Sequence, residues 1–214
     1  MHGTTSKSQL LLIIISLTIL FCPGCQARKE SPPPEKVPEK MPERLTVLME
    51  TEKGDIEVEI YPAKAPATCT NFLKYVDGGF YQGGQFHRTV KPDNQPDKEF
   101  KIEVIQAGIN PDQQSRGFPP VKLERTNETG LKHLDGTISM ARAEPETATS
   151  DFFICIGDQP ELDYRGRRNP DGQGFAAFGK MIRGLNVVKQ IQQAPAQGQR
   201  LTPQIRIRKI SRKN

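Results

Sequence analysis

Glycine and proline interrupt this chain so often that only short helices and strands can form between them. The 214 residues include 18 glycines and 18 prolines, the two residues that most often end regular secondary structure. A helical bundle and a coiled coil need longer uninterrupted helices and are excluded. The length favours one globular domain with additional segments over two domains of ordinary size.

An apolar stretch over residues 10–21 stands near the N-terminus, with Lys7 before it. Twelve residues are too few to span a membrane, which needs about 20, but they suit the core of a signal peptide. Gly24 and Cys25 follow, and a cysteine after a small residue at this point resembles a bacterial lipobox. We therefore expect residues 1–24 to be a lipoprotein-type signal peptide and Cys25 to carry the lipid.

Two other interpretations of this region stay open. The signal could be cleaved without lipidation, or Cys22 and Cys25 could form a redox pair, because Cys-x-x-Cys spacing can lower a thiol pKa. No alternation of strands and helices typical of a thioredoxin-like fold surrounds the pair, which argues against the redox interpretation.

Residues 25–43 are predicted to be a tether between the lipid and the folded domain. Residues 26–43 contain five prolines and eight charged side chains, a composition that favours an extended chain. The folded domain is then residues 44–214. We expect an exported protein on the periplasmic side of the cell envelope, held to the membrane by its lipid anchor.

Within this domain, short apolar runs predict a mainly β fold. Residues 46–50 and 56–60 are predicted strands on either side of a turn at Lys53-Gly54, and the second of them alternates apolar and acidic residues. Further strands are predicted at residues 100–106, 136–141, 151–156, 175–181 and 205–208, and amphipathic helices at residues 65–76 and 185–191. Two helices and about eight strands suit a closed eight-stranded antiparallel barrel capped by the helices, because closure removes exposed strand edges.

Charge and histidine content exclude several other functions. Residues 200–214 carry six basic and no acidic side chains, but no aromatic residues lie among them, so nucleic-acid binding is not predicted. The three histidines, His2, His87 and His133, are too few and too scattered to predict a metal cluster or a serine triad. His87 is predicted to be a packing residue, and no metal or cofactor is expected.

The domain contains two cysteines, Cys69 and Cys155, in a compartment where disulfides are permitted. Both lie among apolar residues of predicted elements. Two buried thiols are therefore favoured over a disulfide.

Six short motifs give the chain a specific likeness. They are Phe86-His87-Arg88, residues 106–108, residues 139–143, residues 151–154, Leu162-Asp163 and residues 178–180. In this order and spacing, from about residue 45 to residue 212, the chain resembles the cyclophilin-type peptidyl-prolyl cis-trans isomerases. The resemblance implies a monomeric enzyme that needs no cofactor and acts on proline-containing unfolded or extended polypeptides.

The resemblance also implies roles for three residues in the rotation of Xaa-Pro bonds. Arg88 matches the catalytic arginine, Gln106 the glutamine that orients it, and Phe153 the aromatic floor of the proline pocket. For Phe153, ordinary core packing is the competing interpretation.

Six further positions match substrate-binding residues of the family. Val104 and Ala141 match residues beside the substrate, and Leu162 and Phe175 match the far wall of the pocket, where core packing is the alternative. Arg142 and Asp151 occupy positions where relatives more often carry neutral amides. We expect these two to form an ion pair at the rim of the groove, the alternative being an inert surface pair.

The chain also departs from the family pattern. The segment of residues 91–101 is longer than usual, so that Glu103 and Val104 only approximately take the places of an apolar pair that contacts proline. These departures leave a second function open, a catalytically weak proline-binding or chaperone-like module. The combination of Arg88, Gln106 and Phe153 favours the enzyme, because binding alone needs no arginine aimed into the pocket.

Overall fold

The computed structural model describes residues 41–213. The predicted signal peptide, the lipidation site at Cys25 and most of the predicted tether lie outside the described residues. The helices of the described part are α1 (Pro66–Asp77), α2 (Thr126–Thr129) and α3 (Leu185–Gln192). Its strands are β1 (Leu45–Thr51), β2 (Gly54–Ile60), β3 (Gln85–Val90), β4 (Val104–Gly108), β5 (Thr137–Met140), β6 (Phe152–Cys155), β7 (Ala176–Arg183), β8 (Ala196–Gln197) and β9 (Arg200–Lys213). No helix between residues 41 and 213 has the length and apolar character that crossing a membrane requires.

Eight of these strands form a closed antiparallel barrel. Neighbouring strands follow the order β1, β2, β7, β5, β6, β4, β3, β9, and β9 pairs back with β1. The two-residue β8 pairs with β9. Helix α1 packs against β7 and β9, and α3 packs against β2, β3 and β4. The predicted fold class, an eight-stranded barrel with two helices packed on it, is confirmed, and the four-residue α2 was not predicted.

The first hairpin shows how the sequence specifies the barrel. Val47 and Met49 of β1 and Ile56 and Val58 of β2 are fully buried, since alternate residues of a strand point to the same face of a sheet. The turn between the strands ends at Gly54, whose φ of +125° is a conformation open to glycine and costly for other residues.

An aromatic cluster fills the barrel interior beneath α1. The ring of Phe72 on α1 lies 5.5 Å from Tyr81, 5.7 Å from Phe152 and 5.1 Å from Phe178, measured between ring centroids. These residues belong to the main hydrophobic core. Cys69 is also buried there, as Cys155 is elsewhere, and both thiols are free. The prediction of two buried thiols is confirmed.

Two strands differ from their predicted bounds by more than two residues. Residues 100–103 were predicted to open a strand, but β4 begins at Val104. The backbone N–H of Ile102 instead donates to Gln95 Oε1 (3.2 Å), and Gln95 Nε2 donates to the Ile102 carbonyl (2.8 Å). A side chain thus takes the place of a neighbouring strand. The last strand, predicted at residues 205–208, extends over Arg200–Lys213. A register shift opposite Glu50 and Thr51, which pair with Lys209 and Ile207, leaves Arg208 as an extra residue and ends the alternation there.

Candidate active site

Three predicted site residues lie side by side across neighbouring strands. In the register of the barrel, Arg88 on β3 is opposite Gln106 on β4, and Gln106 is opposite Phe153 on β6. Residues that face each other on adjacent strands have side chains close enough to interact. The barrel therefore brings the guanidinium, the amide and the aromatic ring into one row.

A β-bulge directs Arg88 toward this row. The pairing of β3 with β4 shifts between Phe86 and Arg88, which makes His87 the extra residue. Without a bulge, Phe86 and Arg88 would share a face, because the side-chain period of a strand is two. With it, Phe86 is fully buried in the barrel core while Arg88 lines a surface pocket. The bulge also breaks the alternation of β3, which explains why sequence periodicity did not predict this strand.

Two glutamines hold the guanidinium of Arg88. Nη1 donates to Gln106 Oε1 (3.0 Å), and Nε and Nη2 donate to Gln199 Oε1 (2.9 and 2.6 Å). Gln199 is itself fixed by donating to the carbonyl of Asn94 (3.1 Å). Three of the five N–H groups of an arginine are thereby used, and two stay available to a ligand. Burial lowers the pKa of Arg88, but an arginine stays protonated at neutral pH.

A small apolar cluster outside the barrel interior forms the floor of the pocket. Phe153 and Phe175 meet edge to face with ring centroids 5.4 Å apart. Ile102, Val104 and Leu162 belong to the same cluster, and all three are buried. Phe153 and Val104 reach this side because their strand neighbours, Phe152 and Ile105, point into the barrel core.

The pocket has a volume of about 470 Å³. All nine residues predicted to bind substrate or act in catalysis line it, namely Arg88, Val104, Gln106, Ala141, Arg142, Asp151, Phe153, Leu162 and Phe175. The structure thus brings the whole predicted set together around one cavity.

The predicted ion pair between Arg142 and Asp151 is wrong. Arg142 forms a two-point ion pair with Asp171, with Nη1–Oδ2 and Nη2–Oδ1 distances of 2.8 and 2.9 Å, and its Nε donates to the Gly174 carbonyl (2.8 Å). Its side chain is only 1% exposed. Asp171 belongs to the loop of residues 163–175, where chain spacing gave no sign that it would face Arg142. The pair lowers the pKa of Asp171.

Asp151 has two other neighbours. Its Oδ2 accepts a hydrogen bond from Gln106 Nε2 (3.2 Å) and lies 3.5 Å from His87 Nε2. Gln106 therefore bridges Arg88 and Asp151, because its amide oxygen accepts from Arg88 and its amide nitrogen donates to Asp151. His87, predicted to be a packing residue, is half-buried, with about one-third of its side chain exposed.

Glu103, doubtful as a pocket residue from sequence, does not line the pocket. Its carboxylate accepts a hydrogen bond from Gln192 Nε2 (2.8 Å), away from the floor. Ile102 lines the pocket with Val104 instead. The alternation of Ile102, Glu103 and Val104 could have indicated this. Nothing in the sequence indicated Gln199, which is far from Arg88 along the chain.

A buried histidine supports the floor from behind. The ring of His133 stacks on Phe153 at 6.0 Å with an angle of 17°. Its Nδ1 lies 2.8 Å from Asp163 Oδ1 and its Nε2 lies 3.0 Å from Ser139 Oγ. The order resembles a catalytic triad, but Ser139 is fully buried and substrate cannot reach its hydroxyl.

The described residues 41–213 contain no group of three or more His, Cys, Asp or Glu side chains placed to hold a metal ion. The pocket instead offers a fixed guanidinium with free N–H groups beside an apolar floor. Such a site can bind a small apolar ring and donate a hydrogen bond to an atom next to it. The two cysteine thiols between residues 41 and 213 are poor nucleophiles, since burial raises the pKa of Cys69 to about 12 and that of Cys155 well above its usual value.

Comparison with protein families gives a match over residues 46–212 to the model described as cyclophilin type peptidyl-prolyl cis-trans isomerase/CLD. Peptidyl-prolyl cis-trans isomerase A of Dickeya dadantii is 40% identical over 148 residues, which cover 69% of this chain and 70% of the relative. Peptidyl-prolyl cis-trans isomerase B of Escherichia coli is 35% identical over 147 residues, or 68% of this chain and 82% of the relative.

Among solved structures, a cyclophilin type peptidyl-prolyl cis-trans isomerase of Cryptosporidium parvum has a similar fold. Its crystal structure in the presence of the dipeptide Ala-Pro aligns with a TM-score of 0.60 and 25% sequence identity. The alignment covers 79% of this chain and 99% of the other.

Proposed function

The chain belongs to the cyclophilin-type family of peptidyl-prolyl cis-trans isomerases, and we propose that it assists the folding of exported proteins from a lipid anchor in the cell envelope. Its reaction is the rotation of the peptide bond that precedes proline, and proline-containing peptides are its substrates. The observation that carries the enzymatic part is the fixed Arg88 guanidinium beside the apolar floor around Phe153.

The reaction needs resonance across the prolyl amide to weaken. A peptide bond resists rotation with a barrier of about 18–20 kcal/mol because the nitrogen lone pair is delocalised into the carbonyl. At the twisted state this lone pair returns to the nitrogen, which becomes a hydrogen-bond acceptor. A donor placed there stabilises the twisted state more than either planar form, and so lowers the barrier.

Each part of the pocket supplies one element of this mechanism. The free N–H groups of Arg88 donate to the prolyl nitrogen, and Gln106 and Gln199 keep the guanidinium in place. The rings of Phe153 and Phe175 bind the proline ring and exclude water. Because water solvates the polar planar amide better than the twisted amide, its exclusion favours rotation. One charge-assisted hydrogen bond contributes roughly 1.5–3 kcal/mol, equivalent to one or two powers of ten in rate.

The proposed location has its support in the sequence outside the described residues. The apolar segment of residues 10–21, the Gly24-Cys25 dipeptide and the proline-rich residues 26–43 stand in the order of a lipoprotein signal and tether. A tether of this composition would hold the domain at a distance from the membrane.

Cell fractionation and intact-mass measurement test the location. We expect the mature protein in the membrane fraction, with Cys25 as its first residue and an added acyl mass. Cys25→Ser should lose the acyl mass and the cleavage, whereas the matched variant Cys22→Ser should keep both. A soluble product of unmodified mass would contradict the lipoprotein proposal.

Refolding of an exported protein whose slow phase is prolyl isomerisation tests the folding role. Wild type should accelerate the slow phase, and Arg88→Ala should not. If Arg88→Ala assists refolding as well as wild type does, the chaperone-like alternative is correct.

A further inference from the structure

Two loops that are not part of the barrel sheet form one wall of the pocket. The first covers residues 91–103 and the second covers residues 163–175. Arg168 of the second loop joins them, because its Nη1 donates to Gln95 Oε1 (2.8 Å) and to the Phe100 carbonyl (2.8 Å) of the first. The guanidinium of Arg167 also lies over the Phe100 ring at 3.9 Å. Lys98, Arg168 and Asn169 line the pocket from this wall.

The side chains that line the pocket carry an excess of positive charge. The cations that line it are Arg88, Lys98, Arg142 and Arg168, and the one carboxylate among its lining residues is Asp151. Arg142 is neutralised by Asp171, which leaves three cations for one carboxylate.

These three cations have no acidic partner among residues 41–213. Arg88 and Arg168 donate only to neutral oxygens, and Lys98 forms no ion pair in the described part of the chain. The acidic neighbours of Lys98, Asp97 and Glu99, are exposed and do not line the pocket.

Asp151 does not neutralise any of these three cations. Asp151 is attached to Gln106 and lies beside His87, on the side of Gln106 away from the guanidinium of Arg88. Arg168 lies on the other side of the pocket. Burial lowers the pKa of Arg168, and the positive charge of Arg88 lowers it further. A half-buried positive charge is costly without a partner, and two of them beside one cavity favour an anion there.

We infer that the pocket selects prolyl peptides that carry an acidic side chain next to the proline, with Arg168 and Lys98 binding its carboxylate. The inference rests on the proposed function and adds a substrate class to it. Arg168 supplies a rigid fork of donors that matches a carboxylate. Lys98 is exposed and adds a mobile positive charge at the entrance. Arg88 is then left to act on the prolyl nitrogen.

Isomerisation of matched peptides by the full chain in detergent tests this inference. The peptides differ only in Glu, Gln or Lys at the residue before or the residue after proline. We expect kcat/KM to be roughly fivefold higher for Glu than for the isosteric Gln in at least one of the two positions, the effect of one partly screened ion pair. The preference should shrink as salt is raised from low to physiological concentration and above.

Two variants and a matched control test whether the residues of this wall cause the preference. Arg168→Gln should remove most of it, and Lys98→Glu, at an exposed site where folding is not affected, should reverse it toward the Lys peptide. Lys101→Gln makes a charge change of the same sign in the same loop, but Lys101 does not line the pocket, so both activity and preference should stay as in wild type.

The outcomes separate this inference from the proposed function. Equal turnover of the Glu and Gln peptides in both positions by an active wild-type enzyme would overturn the inference alone. A preference that Lys98→Glu and Arg168→Gln leave unchanged would also overturn it. Absence of turnover for every peptide would contradict the isomerase itself.

Discussion

At the scale of single residues, His133 links the stability of the domain to the shape of the pocket. Its ring is the layer directly behind Phe153, and its side chain is fully buried. Burial lowers the pKa of His133 despite the nearby Asp163 carboxylate. The neutral ring then donates from Nδ1–H to Asp163 and accepts from the Ser139 hydroxyl at Nε2.

Acid should therefore destabilise the domain through His133. The unfolded chain takes up a proton near the usual histidine pKa of about 6.5, whereas the folded chain does so only at lower pH. The stabilising contribution is thus complete above pH 6.5 and is lost as the pH falls below it, by at most about 1.4 kcal/mol per pH unit.

Two measurements check this expectation. The free energy of unfolding of wild type, from urea titrations, should decrease between pH 7 and pH 5, and His133→Gln should flatten that decrease. In NMR spectra the His133 ring should stay neutral at pH 6.5. A His133 that is half protonated at or above pH 6.5 in the folded state would contradict the assignment.

At the scale of elements, the buried side chain of Gln95 connects the two ends of the loop of residues 91–103. The amide of Gln95 donates to the carbonyls of Lys91 and Ile102, accepts from the Ile102 N–H, and accepts from Arg168. Because Ile102 lines the floor and Arg168 lines the wall, Gln95 positions residues on two sides of the pocket. Substrate does not need to touch it.

Gln95→Ala should weaken substrate binding and lower stability together. It leaves a buried N–H and carbonyl at Ile102 unpaired, and each buried unpaired group costs about 1–3 kcal/mol. We expect KM to rise more than kcat falls, since Arg88 keeps its own partners. Gln190→Ala, at an exposed position of α3, is the matched control and should change neither quantity. A Gln95→Ala protein with wild-type KM and wild-type thermal stability would show that the loop does not depend on this residue.

The elements also show where sequence patterns fail. Strands β1 and β2 pair with each other without a register shift, and the apolar runs in them predicted their bounds to within two residues. Strand β3 contains the most informative motif of the chain and was missed as a strand, because the bulge at His87 places Phe86 and Arg88 on different faces. The residues of β3 match a family motif, but their hydrophobic periodicity did not predict a strand.

At the scale of the whole molecule, the domain has two separate apolar clusters with different roles. The larger cluster fills the barrel and contains Phe72, Phe86 and Phe152. The smaller one, which contains Phe153 and Phe175, forms the floor of the pocket on the outside of the same sheet. Phe152 and Phe153 are adjacent in β6, so one strand supplies both the stability of the barrel and the surface on which substrate binds.

This arrangement explains how much of the site could be predicted. Residues on the barrel strands, such as Arg88, Gln106 and Phe153, keep fixed cross-strand neighbours, so a motif matched by resemblance also places them correctly. Gln199 and Arg168 come from turns and loops whose approach to the pocket depends on tertiary contacts. Loop geometry also decided the partner of Arg142, which is why its predicted pairing with Asp151 was wrong.

The most direct test of the account is the isomerase activity of Arg88→Ala, measured in a protease-coupled assay with wild type and Arg200→Ala. Arg200 is the exposed partner of Arg88 on β9 and controls for the loss of a surface arginine. We expect kcat/KM of Arg88→Ala to fall roughly 10- to 100-fold, with an unchanged circular dichroism spectrum, and Arg200→Ala to stay near wild type. Arg88→Lys should also be impaired, because lysine lacks the planar fork that Gln106 and Gln199 hold. Near-wild-type turnover by a correctly folded Arg88→Ala protein would contradict the proposed mechanism.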